Sequence, residues 1–378
     1  MSEANAPTAR DIFNAGDRFR GYVVERLLGK GGLGAVYLVR HEVLETPYAL
    51  KVLYPDVAAS NRHYVKRFLR EAKIATRIRH PNLVAVHDAG LDEQHGLYYI
   101  VMDWVSGGDL RQAIAFAGHF DPDRAVEVVM QVASALEAAH KFKVVHRDIK
   151  PENIMLERDG RVKLVDLGVA KVRNTDSLRT MPNTVFGTPN YISPEQAQDS
   201  STVDGRADVY SLGVVLFELL CGRRPYECEK PNDVVRQLLS EKPVPDVRDF
   251  KPDVPLQLAV VLRLMLAKKP EERLGSASAF LERLEEVGYG EALDDAPSVV
   301  CSSSSSSTAA SSDNFSYTAL SSAKENRTLS FDTKDEEISG FIKDLKARRR
   351  RMAIVRRVAL SAVVGTVIVL ALVLFFST

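Results

Sequence analysis

A short polar stretch near the middle of the chain carries the residue types that phosphoryl transfer needs. It reads His146-Arg147-Asp148-Ile149-Lys150-Pro151-Glu152-Asn153, and Asp166-Leu167-Gly168 begins eighteen residues after Asp148. A carboxylate can accept the proton of an attacking hydroxyl, and a neighbouring lysine can neutralise charge on a transferred phosphate. An amide oxygen and a second carboxylate are ligands of the kind that Mg²⁺ prefers. The stretch therefore predicts Asp148 and Lys150 as catalytic residues and Asn153 and Asp166 as metal ligands.

A glycine-rich segment lies near the N-terminus between two predicted strands, Tyr22–Leu28 and Ala35–Arg40. Its glycines allow a hairpin whose backbone N–H groups approach phosphates without obstruction by side chains. A hairpin between strands argues against a dinucleotide-binding unit, in which the glycines open a helix. The predicted nucleotide-binding segment comprises Leu28, Gly29, Lys30, Gly31, Gly32, Leu33, Gly34, Ala35 and Val36, and the last of these would cover one face of a base.

A lysine and a glutamate are predicted to form an ion pair beside this hairpin. Lys51 lies in the predicted strand Tyr48–Leu53, where a lysine taken alone is more often a solvent-exposed strand residue. Glu71 shares a helix face with Phe68 and Ala75, and a carboxylate there is costly to bury unless it is paired. The pair would hold Lys51 against the α- and β-phosphates of a nucleotide.

Hydrophobic periodicity predicts the elements that must position these residues. The helix that carries Glu71 ends before Pro81, because proline disfavours helix in the residue before it. Further strands are predicted around Leu83–Asp88 and Leu97–Met102, with short strands at Val144–Val145 and Ile154–Leu156 on either side of the catalytic stretch. Further helices are predicted at Ala125–His140, Val209–Leu220, Val234–Leu239 and Leu256–Ala267. The apolar helix Val209–Leu220 is too short for a membrane span and is expected in the core.

Composition excludes several classes of protein. The formal net charge of the 378 residues is zero, so no global field favours nucleic acid, and none is expected as a partner. The three cysteines show neither metal-ligand spacing nor an even disulfide framework, which suits a reducing compartment. The first twenty residues have no apolar core, so no secretory signal is expected.

The C-terminal part of the sequence changes character twice. Residues 1–20 are a polar lead-in and 21–287 are globular in composition, whereas 288–345 are rich in serine and predict a disordered linker. Residues 346–357 are basic, and 358–376 are nineteen residues without a charge, enough for a helix of about 28 Å. This predicts a single transmembrane helix in the inner or plasma membrane, with the lipid bilayer as a partner. The basic residues before it place the rest of the chain in the cytoplasm.

In this order the motifs resemble those of protein Ser/Thr kinases, most closely the membrane-anchored bacterial kinases that are similar to eukaryotic ones. The resemblance covers about residues 20–287. It implies an α+β, bilobal protein kinase fold with a small β-rich N-lobe and a larger helical C-lobe, in addition to the linker and the C-terminal transmembrane helix. It also implies transfer of the ATP γ-phosphate to Ser or Thr hydroxyls of protein substrates, with Mg²⁺, or Mn²⁺ in its place, as cofactor.

The resemblance assigns roles to residues outside the catalytic stretch. Met102 would lie at the back of the adenine pocket, Asp103 and Val105 would offer backbone groups to adenine, and Asp109 would lie near the ribose. Asp208 resembles the aspartate that holds the catalytic loop. Glu195, in Ser193-Pro194-Glu195, would pair with Arg273. Lys150 and Gly187-Thr188-Pro189 are typical of kinases that act on Ser and Thr. Leu167 and Ser193 depart from the commoner phenylalanine and alanine, and neither carries charge.

A phosphate between Asp166 and Glu195 could pair with Arg147 and order that segment, so autophosphorylation is predicted there. The candidate hydroxyls are those of Thr175, Ser177, Thr180 and Thr184. A catalytically silent kinase fold that serves as a docking module is the main alternative, and a small-molecule kinase is the second. Dimerisation is left open.

Overall fold

The computed structural model describes residues 12–60, 62–167, 189–198 and 203–289. All of these except Arg158–Gly160 belong to one compact unit. A β-sheet forms its N-terminal part and helices form most of its C-terminal part, so the expected bilobal α+β fold is confirmed. The predicted phosphorylation sites, the linker and the span at 358–376 lie outside the described residues. No helix in the described part of the chain is both long enough and apolar enough to cross a membrane.

The N-lobe is a six-stranded antiparallel sheet in the order β1-β2-β3-β4-β6-β5. Its strands are β1 (Arg18–Phe19), β2 (Tyr22–Lys30), β3 (Gly34–His41), β4 (Pro47–Leu53), β5 (Val86–Asp92) and β6 (Leu97–Asp103). Side chains that alternate along the central strands are fully buried, among them Tyr37, Val39, Leu50 and Val52. The three predicted strands around the glycine-rich hairpin are confirmed with small changes at their ends.

The strand predicted at Leu83–Asp88 is displaced in the structure. It begins at Val86 and runs to Asp92, because the apolar residues before it pair elsewhere. The Val84 N–H donates to Leu164 O at 3.1 Å, and the Leu164 N–H donates to Asn82 O at 2.8 Å. The first part of the predicted strand therefore connects the sheet to the C-lobe.

Two helices follow the sheet's first half, α1 (Pro55–Ser60) and α2 (Arg62–Ala75). The α2 helix is amphipathic and buries Phe68, Glu71 and Ala72. Phe68 and Ala72 pack with Leu53 and Ile100 of the sheet. This packing fixes the helix that carries Glu71 beside the strand that carries Lys51.

The C-lobe is built around one buried helix. It contains α3 (Leu110–Ala117), α4 (Pro122–Lys141), α5 (Pro194–Gln198), α6 (Gly205–Cys221), α7 (Pro231–Leu239), α8 (Leu256–Met265) and α9 (Ala277–Leu284), with a hairpin of β7 (Ile154–Leu156) and β8 (Val162–Leu164). The α6 helix is buried along almost its whole length, as its apolar sequence predicts. It begins at the cap Asp204 and ends at Gly222, whose φ of 72° suits glycine.

The strand predicted at Val144–Val145 does not form. The Val144 N–H donates to Ala139 O at 3.1 Å and closes the end of α4. The N–H groups of His146 and Arg147, which follow Val145, donate to the carboxylate of Asp208. β-branched residues favour strands, but here the backbone hydrogen bonds go to a helix end and a side chain.

Candidate active site

Asp208 of α6 holds the start of the catalytic loop, the stretch His146–Asn153. Its carboxylate accepts the N–H of His146 at 2.8 Å and the N–H of Arg147 at 2.7 Å, and it lies 2.8 Å from Nε2 of His140. Arg147 has a φ of 64°, in the left-handed region that a non-glycine residue rarely adopts. Hydrogen bonds to a buried carboxylate are strong and offset this strain. The contact expected of Asp208 is therefore present.

His146 connects the catalytic loop to the residue before Asp166. The imidazole is fully buried; its Nδ1 accepts the Asp148 N–H at 3.3 Å, and its Nε2 lies 3.1 Å from Val165 O. Only a neutral ring with its proton on Nε2 satisfies both contacts. Burial lowers the pKa of His146, although Asp208 and Asp148 oppose this, and the low pKa favours the neutral ring. No role for this histidine was predicted from the sequence.

Asp148, Lys150 and Asn153 form one hydrogen-bonded group. The Asn153 Nδ2 donates to the carbonyl oxygen of Asp148 at 2.8 Å and to its Oδ2 at 2.8 Å. The Lys150 Nζ lies 3.3 Å from the same Oδ2. Because Nδ2 is used in this way, the amide oxygen of Asn153 is left as a potential ligand atom. The loop therefore brings together the two predicted catalytic residues and one predicted metal ligand.

Lys51 lies between two carboxylates, and the nearer is not the expected one. Its Nζ is 2.7 Å from Asp166 Oδ1 and 3.9 Å from Glu71 Oε1. The predicted Lys51–Glu71 pair is thus the longer of two contacts, because Asp166 provides the closer counter-charge. Asp166 has a φ of 54°, so both aspartate-bearing segments of the site include a residue with left-handed backbone.

The charges of these three groups are coupled. Burial alone would lower the pKa of Lys51, but Asp166 and Glu71 raise it above its usual value. Burial raises the pKa of Glu71 to about 7, although Lys51 opposes this. Burial acts in the same direction on Asp166, yet Lys51 outweighs it and lowers the pKa of that carboxyl. Lys51 and Asp166 are therefore both charged at neutral pH, as a lysine for phosphates and a ligand for Mg²⁺ must be.

The glycine-rich hairpin is hydrogen-bonded to the residue that follows β4, the strand that carries Lys51. The Gly31 N–H donates to Gly34 O at 2.8 Å, and the Tyr54 N–H donates to Leu33 O at 3.0 Å. A Cβ on Gly34 would lie 1.9 Å from Val52 O, so no other residue fits there without moving the strand. The hairpin joins two strands as predicted, and four of the six residues from Gly29 to Gly34 are glycines, which leave the backbone accessible.

An apolar cluster includes residues that were predicted to contact a base. It contains the predicted residues Leu28, Val36, Met102 and Val105, together with side chains from both lobes that were not predicted. The latter are Leu38, Ala49, Val84, Val86, Trp104, Met155 and Val165. Apolar walls with a few backbone polar groups are typical of sites for flat heteroaromatic ligands.

The connection between the lobes supplies those backbone groups. The Asp103 N–H already donates to Ala85 O at 2.9 Å, and the Asp103 side chain lies 2.6 Å from Nε2 of His87. Its carbonyl is therefore the group that Asp103 can offer to adenine. Asp109 is the N-cap of α3 and accepts the Gln112 N–H at 2.8 Å. Burial raises the pKa of Asp109 to about 6, and its predicted position near a ribose stays a prediction.

Two ion pairs organise the side on which a peptide would bind. Glu195 and Arg273 form the expected pair, with N–O distances of 2.7 and 3.1 Å, and Arg273 is buried. The second pair was not predicted. Arg111 of α3 donates to Glu218 at 2.8 Å, to Glu152 of the catalytic loop at 3.0 Å, and to the hydroxyl of Tyr191.

This second group links the loop to the segment after Thr188-Pro189. The Tyr191 hydroxyl also donates to Glu218 at 2.5 Å, and both residues are buried. Arg111 therefore has three partners: Glu152 on the catalytic loop, Glu218 on α6, and Tyr191, which lies two residues after Pro189. Its signal in the sequence was weak, because a single arginine on an amphipathic helix is usually exposed.

Comparison with known proteins agrees with this geometry. The sequence pattern of the protein kinase domain matches residues 22–283. The chain is 40% identical over 282 residues to the serine/threonine-protein kinase PknB of Mycolicibacterium smegmatis, which covers 74% of this chain and 44% of that protein. It is 36% identical over 263 residues to the kinase PrkC of Bacillus subtilis, which covers 69% of this chain and 40% of that protein.

A solved structure shows the same fold. The kinase domain of Mycobacterium tuberculosis PknI is 34% identical and superposes with a TM-score of 0.57, covering 72% of this chain and 99% of that domain. The chain spans less than half the length of the two curated relatives named above. The agreement lies in the kinase domain. The chain therefore belongs to the protein kinase family, and its kinase domain is of the bacterial Ser/Thr type.

Proposed function

We propose that this chain is an active kinase that transfers the γ-phosphate of ATP to Ser and Thr side chains of proteins. The observation that carries the proposal is the connected site in which Lys51 contacts Asp166 and Asn153 contacts Asp148. Catalytically silent kinase folds usually lack at least one of these four residues. All four are present here, and each of them contacts another of the four.

The residues present fit the Mg²⁺ that protein kinases use. The amide oxygen of Asn153 and the carboxylate of Asp166 are the hard oxygen donors that this ion prefers. When bound, Mg²⁺ would supply positive charge that stabilises the charge developing on the transferred phosphate. Lys51, whose charge is maintained by its two carboxylate neighbours, would bind the α- and β-phosphates.

The protein residues supply positioning and proton transfer. The carboxylate of Asp148 is oriented by Asn153 and can accept the proton of a substrate hydroxyl as that oxygen attacks phosphorus. Lys150 lies 3.3 Å from this carboxylate and can neutralise the negative charge on the phosphate during its transfer. His146 and Asp208 keep the loop backbone in the strained conformation that places Asp148.

The test compares the purified full-length chain with its Asp148→Asn variant. With labelled ATP, Mg²⁺ and a general protein substrate such as casein, we expect the variant to lose about 10²–10⁴-fold in rate. Nucleotide binding, measured by a shift in thermal unfolding, should be retained in both. A wild-type chain that binds ATP and Mg²⁺ but labels no protein would favour the docking module, and labelling of small hydroxyl compounds alone would favour the small-molecule kinase.

We also propose that the kinase works at a membrane and phosphorylates itself between Asp166 and Glu195. The uncharged stretch 358–376 and the basic residues before it support the first point. The four hydroxyl residues Thr175, Ser177, Thr180 and Thr184 support the second. Release of the chain from membranes by alkaline carbonate would contradict anchoring, and undiminished activity after replacement of all four hydroxyls by alanine would contradict activation by autophosphorylation.

A further inference from the structure

The solvent-facing side of α2 carries cations that the kinase site does not use. Arg62, Lys66, Arg70, Lys73 and Arg77 follow one another at spacings of three or four residues, and all five are exposed. Side chains at such spacings lie on one face of an α-helix. The last of them follows the end of the helix, but its N–H still donates to a carbonyl of the final turn at 3.0 Å. These five residues are called the basic stripe.

The basic stripe has no counter-charge in the described part of the chain. None of its members forms an ion pair or a side-chain hydrogen bond with another described residue. The one carboxylate of α2, that of Glu71, is buried on the other face, 3.9 Å from Lys51. Like charges four residues apart repel each other and weaken a helix. An anionic partner that covers the stripe would remove this repulsion.

We infer that the basic stripe binds an acidic stretch of the chain's own C-terminal part, Asp332–Glu337. Its sequence, Asp332-Thr333-Lys334-Asp335-Glu336-Glu337, contains four carboxylates and one lysine. The wider segment 290–345 has ten acidic side chains against four basic ones. Both the stretch and the segment around it therefore have the charge that the stripe attracts.

The chain is long enough for this contact. Forty-two residues, 290–331, separate the described domain from the acidic stretch. A flexible chain of that length has a root-mean-square span of about 35 Å, whereas a folded domain of this size has a radius of gyration of about 18 Å. The basic stripe itself is about 22 Å long. Forty-two residues are therefore enough to span the distance to any face of the domain.

Other segments of the chain fit the stripe less well. Residues 168–188 carry three cations, Lys171, Arg173 and Arg179, against one carboxylate, Asp176, so they have the same sign as the stripe. Residues 346–357 are basic as well. Residues 1–11 carry two acids and one arginine. The stretch Glu291–Asp295 has the same net charge, but it begins two residues after the described domain ends, so its reach is much shorter than that of Asp332–Glu337. An anionic lipid surface is a further partner of suitable charge, and the experiment separates it from the acidic stretch.

The contact would act on the kinase through α2. That helix presents the basic stripe on one face and Glu71 on the other, so a partner on the stripe holds Glu71 toward Lys51. The docking itself does not require phosphoryl transfer. Its test therefore gives an answer whether or not the proposed kinase activity is found.

The test uses the full-length chain in neutral phosphatidylcholine nanodiscs and a carbodiimide that joins amines to carboxylates without a spacer. We expect cross-links from Lys66 or Lys73 to Asp332–Glu337 at low salt, and a loss of most of them at 1 M salt. Mixing ¹⁵N-labelled with unlabelled chains shows whether both ends belong to one molecule. Links only between different molecules would overturn the inference.

A second measurement follows the acetylation rate of single lysines. In a variant with Asp335→Lys, Glu336→Lys and Glu337→Lys, we expect Lys66 and Lys73 to react several-fold faster than in wild type. The exposed lysines Lys143 and Lys242, which lie outside α2, are matched controls and should not change. No cross-links together with unchanged rates would overturn the inference. Protection that needs anionic phosphatidylglycerol and survives the tail substitutions would also overturn it and identify the membrane as the partner.

Discussion

Replacement of Asp208 by asparagine tests whether one buried carboxylate holds the catalytic loop. Asp208→Asn keeps the size of the side chain but leaves it one acceptor oxygen and one NH₂ group. The N–H groups of His146 and Arg147 now each have an oxygen of the carboxylate. In the variant one of them would face a donor. We therefore expect the loop to lose both stability and its backbone conformation.

The size of the effect follows from these contacts. A hydrogen bond to a charged group contributes about 1.5–3 kcal/mol, and a buried donor left without a partner costs about 1–3 kcal/mol. We expect the free energy of unfolding to fall by about 3 kcal/mol. Arg147, at a φ of 64°, would then relax and move Asp148, and displacement of a catalytic group by about 1 Å costs about 10²-fold in kcat.

The assay is urea unfolding together with kcat at saturating ATP. Ser211→Ala is the matched control, because Ser211 is buried on the same helix and its hydroxyl donates only to Ala207 O, at 3.1 Å. We expect the control to lose no more than about 1 kcal/mol and to keep its kcat. If Asp208→Asn matched Ser211→Ala in both measurements, the role assigned to the carboxylate would be refuted.

Three further substitutions test other contacts. Asp109→Asn keeps an oxygen for the Gln112 N–H but removes a carboxyl whose pKa in the folded chain is about 6. Because the folded chain binds this proton more tightly than the unfolded chain does, wild type loses stability as pH rises from about 4 to 6. Thermal unfolding should therefore find the variant about 2 kcal/mol more stable at pH 7.5 and no different below pH 4, and equal stability at pH 7.5 would contradict this. Arg111→Lys keeps the charge but cannot reach all its partners, so the KM for protein substrate should rise about 10-fold while the KM for ATP stays constant; a rise in both would argue for general loosening. Asn153→Ala should raise the Mg²⁺ concentration for half-maximal rate about 10-fold, and an unchanged Mg²⁺ dependence would remove Asn153 from the ligand set.

The catalytic group could be predicted because most of it is local in the sequence. Asp148, Lys150 and Asn153 lie within one loop, so their types and spacing already limit how they can meet. Lys51 is 115 residues from Asp166, and no periodicity gives that distance. The predicted Lys51–Glu71 contact is present at 3.9 Å, but only the fold shows that Asp166 is the nearer partner.

Tertiary contacts account for the elements that were wrong. Val144 and Val145 have strand propensity, yet the neighbouring N–H groups bond to α4 and Asp208, which a local pattern does not reveal. Other signals were present in the sequence. Asp109 followed by Gln112 before an apolar run is the pattern of a helix N-terminus, and α3 begins there.

The connection between the lobes has a consequence for inhibitor design. Since the Asp103 N–H is already bonded to Ala85 O, this residue presents an acceptor and no backbone donor to a ligand. No described residue accepts a bond from the Val105 N–H, so the donor for a heterocycle lies two residues further along. A compound whose donor and acceptor follow this order should gain affinity over its regioisomer with the two exchanged. The scaffold can then be extended toward Met102, a flexible side chain that adapts to added groups.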